Sequence, residues 1–301
     1  MPDHRARLKF VTGKGGVGKT TVAAALALSS AADGKRVLAV DAVNSGDLEP
    51  LIRRTAAALG LRPPPVLPLT TQDSLDEYVK RFLRVPIAPS SLGPLSRILE
   101  FVSSAAPGVR EILIVGKIGH EAVNGPWDEI VVDAPASGHV VELLAAPASL
   151  RRLAPTGPLA GQTKWLSELL AAGSTTVVVV SNPEELPTAE TGQLVERLRA
   201  ETDVDLEMLI VNRVPPRVGP EGLEEASRLG QAVAAGAGSG SGSDMAFGSL
   251  AAVAVDRMTC AEPYVVELRE LASSYDIAVQ EVEDRPLDPV EAVMAVLVEG
   301  P

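Results

Sequence analysis

The chain has 301 residues, 46% of them hydrophobic and 22% charged, and is long enough to bury the core of one large α/β domain. Its net charge of −12 argues against non-specific binding to DNA or anionic membranes, because both need a positive field. The single cysteine, Cys260, excludes an internal disulfide and a zinc site built on a cysteine pair, and we expect a cytoplasmic protein. A polar start and the lack of an apolar run of about 18 residues predict neither a signal peptide nor a membrane-spanning helix.

Apolar segments typical of strands alternate with segments of helical periodicity. Strands are predicted at residues 8–12, 36–41, 128–133, 175–181, 206–212 and 277–282. Helices are predicted at residues 19–32, 74–83, 93–105, 109–122, 187–200, 246–274 and 288–298. Apolar strands separated by helices predict an α/β fold, with a doubly wound, mostly parallel sheet and helices on both faces.

The chain is expected to form a single domain over residues 1–301. A helical insert is predicted at 71–126, after a stretch that several prolines interrupt. Residues 234–244 read AAGAGSGSGSD, which predicts a flexible loop of either natural or engineered origin.

A glycine-rich segment between the first strand and the first helix fits G-x-x-x-x-G-K-[ST], the sequence of a P-loop. Its glycines let backbone N–H groups point at phosphate oxygens, and the following helix presents its positive N-terminus. We expect Lys19 to reach the β- and γ-phosphates of ATP and the Thr20 hydroxyl to ligate Mg²⁺. The nucleotide-binding candidates in this segment are Gly13, Gly15, Gly16, Val17, Gly18, Lys19, Thr20 and Thr21.

Two predicted strands end in an aspartate, at the edge where parallel sheets bind ligands. Asp133 has the Walker B position and is expected to hold Mg²⁺ through its water shell, with an ordinary turn residue as the alternative. Asp41 is a further candidate contact to the metal. Asp47 either shares the role of Asp41 toward the attacking water or caps a helix.

Six segments carry a family resemblance whose order and spacing extend over residues 8–215. They are V-T-G-K-G-G-V-G-K-T-T at 11–21, the segment at Asp41, A-P-G-V-R-E at 106–111, W-D-E-I-V-V-D-A-P-A-S-G-H at 127–139, S-N-P-E-E-L-P-T-A-E-T at 181–191 and L-I-V-N-R at 209–213. The chain thereby resembles the ArsA-like ATPases, the family of the arsenite-pump ATPase and of the targeting factor for tail-anchored proteins. The likeness is strongest to the actinobacterial anion-transporting ATPases.

The resemblance implies a role for each matching residue. Lys14, the extra lysine of a deviant Walker A loop, would contact the nucleotide of a partner subunit. Asp41 would activate the attacking water, and Asp133 would begin a switch segment that ends at 139. Asn212 would hydrogen-bond adenine, with Arg213 beside it. The catalytic candidates are Lys14, Lys19 and Asp41; the metal candidates are Thr20, Asp41 and Asp133; the further cofactor candidates are Asn212 and Arg213.

The first switch departs from the family. It reads D-A-V-N-S at 41–45 where the family has D-P-A-H-[NS], which implies either slow hydrolysis or a site that is degenerate within a heterodimer. The cysteine cluster of the arsenite pump and the C-x-x-C clasp of the targeting factors are both absent from the sequence, which holds only Cys260. The chain corresponds to one half of the tandem pump, and we expect a homodimer or a heterodimer with a paralogous subunit.

Three functional interpretations remain open. The first is an ATP-hydrolysing ArsA-like ATPase with a chaperone or stress-related role and a protein client. Leu95, Ile98, Leu99 and Val102 share a helical face that either shelters such a client or packs on the sheet. The second is a nucleotide-binding regulatory subunit with little turnover. The third is a MinD/ParA-type positioning ATPase, which is disfavoured because the tail at 290–298 carries no lysine or arginine.

Overall fold

Seven parallel strands form the centre of the molecule in the computed structural model, which describes residues 6–69, 109–153, 158–216, 242–284 and 288–299 and the isolated positions 224 and 228. The sheet order is β3-β2-β4-β1-β5-β6-β7, and every strand pair in it is parallel. This confirms the predicted α/β fold class. The strands are β1 (Arg7–Gly13), β2 (Val37–Asp41), β3 (Val66–Pro68), β4 (Glu129–Asp133), β5 (Thr175–Ser181), β6 (Asp205–Val214) and β7 (Ala278–Glu283).

Helices cover both faces of this sheet. They are α1 (Lys19–Ala32), α2 (Leu48–Leu59), α3 (Val109–Asn124), α4 (Ser137–Leu153), α5 (Pro158–Leu170), α6 (Glu185–Glu201), α7 (Gly242–Ser274) and α8 (Pro289–Glu299). Successive strand side chains point to opposite faces, so Phe10 packs with α3–α7 while Val11 packs with α1, α2 and α8. Two buried apolar clusters result, one on each side of the sheet.

The strand register brings the candidate polar residues to one edge. Asp41 of β2 is the register partner of Asp133 of β4, and Asp133 also lies opposite Val11 of β1. Because all strands run the same way, the P-loop and both aspartates stand together at the carboxyl edge.

The structure adds elements that the sequence patterns did not predict. The helices α2, α4 and α5 and the short strand β3 lie in segments where prolines or switch motifs obscured the periodicity. The helix α7 begins at Gly242, three residues inside the predicted flexible loop. The predicted helices at 74–83 and 93–105, the groove candidates at 95–102 and the loop residues 234–241 lie outside the described residues.

Among the residues that the structure describes, none of the helices combines the length and the apolar character needed to cross a membrane.

Candidate nucleotide site

The P-loop, residues 13–20, joins β1 to α1 at the carboxyl edge of the sheet. A Cβ on Gly13 would lie 2.1 Å from the carbonyl oxygen of Val180 in β5, closer than any side chain can approach. Gly18 has a φ of 97°, a left-handed value that a side chain disfavours. The first and last glycines of the motif are therefore required by the geometry of this loop.

Asn212, near the end of β6, supports the P-loop from the side. Its Nδ2 donates a hydrogen bond to the Val17 carbonyl oxygen at 2.8 Å, and a Cβ on Gly18 would lie 2.5 Å from the same nitrogen. Asn212 is buried, whereas the neighbouring Arg213 is exposed and has a φ of 57°. The structure thus gives Asn212 a loop-bracing contact in addition to the predicted adenine contact, which stays a prediction.

Lys19, the first residue of α1, folds back over the loop. Its Nζ donates a hydrogen bond to the Lys14 carbonyl oxygen at 2.9 Å. Burial lowers the pKa of Lys19, and the charge of Asp133 acts in the opposite direction. A phosphate placed beside this ammonium group would favour its charged form in the same way that Asp133 does.

Asp133 is the most deeply buried acid of the site. Its Oδ2 accepts a hydrogen bond from Thr20 Oγ1 at 2.7 Å, while its Oδ1 is buried and has no hydrogen-bond partner among the described residues. Burial raises the pKa of Asp133 to about 6; the Thr20 hydrogen bond and Lys19 oppose the rise, and Asp41 and Asp47 add to it. An orphaned carboxylate oxygen beside a threonine hydroxyl is a place where a hydrated Mg²⁺ fits.

Asp41 holds the loop that follows β2. Its Oδ1 accepts from the Ser45 N–H at 3.3 Å and its Oδ2 from the Gly46 N–H at 3.0 Å. Asp47 stands at the N-cap position of α2, but its side chain makes no capping hydrogen bond. Its charge instead contributes to the raised pKa of Asp133, so Asp47 belongs to the acidic side of the site.

Lys14, the extra lysine of the loop, is engaged within the same chain. Its Nζ lies 2.9 Å from Oε1 of Glu190 in α6, and both side chains are about a quarter to a third exposed. The sequence did not single out Glu190, although it lies in the S-N-P-E-E-L-P-T-A-E-T segment that carries the resemblance. No local pattern could have revealed a contact across 176 positions of chain.

Most of the predicted site residues lie together at the P-loop, whereas Thr21 and His139 lie at the margin of the site. Thr21 is half-buried in the first turn of α1. His139 is exposed in the first turn of α4, 3.5 Å from Glu142, so the end of the predicted switch segment is helical. The switch strand itself is tied to the P-loop strand, because Thr12 Oγ1 donates to the Pro135 carbonyl oxygen at 2.9 Å.

Comparisons with known proteins agree with this geometry. Residues 8–235 match the family model described as the CobQ/CobB/MinD/ParA nucleotide binding domain. The ATPase BagA of Mycobacterium tuberculosis is 34% identical over 237 residues, 73% of this chain and 69% of that protein. The arsenical pump-driving ATPase of Acidiphilium multivorum is 28% identical over 70% of this chain and 40% of its own length. The ATPase ARSA2 of Chlamydomonas reinhardtii is 24% identical over 72% of this chain and 71% of its own length. These relatives confirm the resemblance to ArsA-like ATPases.

Proposed function

The chain belongs to the CobQ/CobB/MinD/ParA family of nucleotide-binding domains and is an ATPase of the ArsA and MinD/ParA class, and from that premise we propose that it works as a nucleotide-gated dimer powered by Mg²⁺-dependent ATP hydrolysis. In this proposal ATP closes the dimer and hydrolysis opens it. The partner is a second copy of the chain or a paralogous subunit, and the output is the handling of a protein client.

The observation that carries the proposal is the pairing of Thr20 with Asp133 beside the P-loop. Thr20 Oγ1 lies 2.7 Å from one Asp133 oxygen, and the other oxygen is buried without a partner among the described residues. We assign the metal to these two side chains, with Asp41 as a further contact. Bound Mg²⁺ would neutralise charge on the phosphate oxygens.

The remaining roles follow from position. Lys19 binds the β- and γ-phosphates from the start of α1, and the 13–20 backbone cradles them. Asp41 orients the attacking water through the acceptor sites that its two backbone hydrogen bonds with the 45–46 loop leave free. Asn212 and Arg213 bind the nucleotide on its adenine side. Catalysis is thus mainly positioning and charge stabilisation.

The dimer proposal rests on Lys14. In the single chain this lysine pairs with Glu190 at 2.9 Å, so a lysine that stabilises the partner's nucleotide must first leave that carboxylate. The pair is partly solvated, and such pairs contribute about 1 kcal/mol or less, so the exchange costs little. Closure by ATP can therefore switch Lys14 from an internal contact to an intersubunit one.

A second candidate function is a nucleotide-binding regulatory subunit with little turnover. The observation in its favour is that both oxygens of Asp41 accept hydrogen bonds from its own switch loop. The D-A-V-N-S sequence of that loop also lacks the proline and histidine of the related switch. In this version the protein binds Mg²⁺–ATP and dimerises without rapid hydrolysis.

Phosphate release from ATP, measured with purified protein and Mg²⁺, tests the proposal. We expect turnover to fall at least about tenfold in Lys14→Ala and Asp41→Asn. Lys164→Ala and Asp203→Asn, which change exposed residues away from the site, serve as matched controls. Mass measurement by light scattering with and without ATP reports dimerisation. Turnover that both site variants retain would refute the mechanism, and tight ATP binding without turnover would favour the regulatory function.

A further inference from the structure

A second cleft lies at the opposite edge of the sheet from the P-loop. It opens where β2 and β3 begin and just before β4, with a volume of about 580 Å³. We call it the basal cleft and define it by Lys35, Arg36, Arg53, Arg62, Pro63–Pro65 and Trp127. Val37, which also lines it, is four residues from Asp41 along β2, or about 13 Å, so the cleft is separate from the nucleotide site.

The charge of the basal cleft differs from that of the whole chain. Four cationic side chains and one acidic side chain, that of Glu49, line the cleft. The chain as a whole carries a net charge of −12. Three of the cations are tied to carboxylates: Lys35 to Glu129 at 3.1 Å, Arg36 to Asp128 and Arg53 to Glu49, both at 2.6 Å.

Arg62 is the available charge of the cleft. It is exposed and has neither a hydrogen bond nor an ion pair with any residue that the structure describes. The paired arginines each use two of their five N–H donors for a carboxylate, and further donors remain for a ligand. A concave surface with the charge of Arg62 and these spare donors attracts anions.

One part of the wall of the basal cleft is apolar and held in place. Trp127 is half-buried, and its indole N–H donates to Glu121 Oε2 at 3.2 Å, which fixes the ring. The prolines at 63–65 lack N–H donors, and the Pro65 carbonyl oxygen accepts from the Ala39 N–H at 3.0 Å. A rigid aromatic and proline surface beside arginines favours a flat apolar body with an anionic group.

We propose that the basal cleft binds a small organic anion, a phosphate or carboxylate carried on a flat apolar body, through Arg62 and stacking against Trp127. The volume falls within the range of about 300–1,000 Å³ typical of small-molecule sites. The site is independent of the P-loop and of ATP hydrolysis, so its ligand is a second small molecule rather than the nucleotide.

Isothermal titration calorimetry with 1-naphthyl phosphate and 1-naphthoate tests this proposal. We expect both anions to bind at least tenfold more tightly than the neutral 1-naphthalenemethanol, and the tighter of the two identifies the preferred anionic group. Arg62→Gln should weaken binding at least tenfold, while Arg199→Gln, an exposed arginine on α6, should leave it unchanged. Because Arg62 has no hydrogen-bond or ion-pair partner among the described residues, its replacement breaks no polar contact among them.

The background variant Lys19→Ala separates the two sites, because its binding of 1-naphthyl phosphate should equal that of the wild type. In a Trp165→Phe protein, Trp127 is the one remaining tryptophan and its fluorescence should change on titration. The proposal is overturned if the wild type does not bind at millimolar anion, if Arg62→Gln binds equally well, or if Lys19→Ala abolishes binding and thereby assigns the anion to the P-loop.

Discussion

Replacement of Asp133 by asparagine should change how the stability of the metal-free protein depends on pH. The folded pKa of Asp133 is raised from 3.8 to about 6, so its charge destabilises the fold at neutral pH. At roughly 1.4 kcal/mol for each pKa unit, the rise corresponds to about 3 kcal/mol. The folded state keeps this proton to higher pH than the unfolded state does. The stability that goes with the protonated carboxyl is therefore fully present below pH 3.8, and it is lost as the pH rises through about 6.

The measurement is urea denaturation of wild type and Asp133→Asn in EDTA, from pH 4 to pH 8. The asparagine amide also introduces an N–H donor that needs a partner, which changes the free energy of unfolding of the variant. That change does not vary with pH. The unfolded carboxyl is already more than half ionised at pH 4, so the free energy of unfolding of the variant should gain on the wild type by about 2.4 kcal/mol between the two ends. Asp203→Asn, in the exposed connection between α6 and β6, is the control. A difference that stays constant within about 1 kcal/mol would refute the reasoning.

Three other changes test separate contacts. Gly18→Ala places a Cβ 2.5 Å from Asn212 Nδ2 at a φ of 97°, and should weaken binding of a fluorescent ATP analogue at least about tenfold; unchanged affinity would contradict the bracing role. Glu190→Gln frees Lys14 from its carboxylate and should lower the ATP concentration at half-maximal dimerisation up to about fivefold in sedimentation velocity. A higher concentration would count against the transfer of Lys14 to the partner's nucleotide. Gly119→Ala brings a Cβ to 2.9 Å from an indole ring and should cost about 1–3 kcal/mol in urea denaturation with turnover per folded molecule unchanged.

Elements with an uninterrupted local signal could be predicted from the sequence. The helix α1 was predicted at its observed bounds because alanines continue the P-loop directly, and β5 likewise because Thr175–Ser181 is almost entirely valine and threonine. The short strand β3 carries too few residues for a period and ends on a proline, so only its pairing with β2 defines it. The helix α4 follows a switch motif and contains Pro147, and no helix is predicted there from the sequence, whereas the helix predicted at 246–274 continues through Pro263 as the structure has it.

The candidate site likewise combines residues that a local motif predicts with contacts that only the folded chain reveals. Lys19, Thr20 and Asp133 follow from the motif and from the end of an apolar strand, and the structure brings them together. The contacts of Glu190 with Lys14 and of Asn212 with Val17 join segments far apart in the chain, so no periodicity or spacing could predict them. Roles that require a bound nucleotide or a partner subunit remain predictions.

The contact between Asn212 and Val17 has a consequence for biosynthesis. The two residues are 195 positions apart, and the first strand of the chain lies between strands made from residues 129–133 and 175–181. A nascent chain grows at about 5–20 residues per second, so the phosphate loop waits about 10–40 s for the asparagine that braces it. Until residues 129–133 are made, the first strand has no neighbour in the sheet, which makes the emerging chain itself a substrate for holding chaperones.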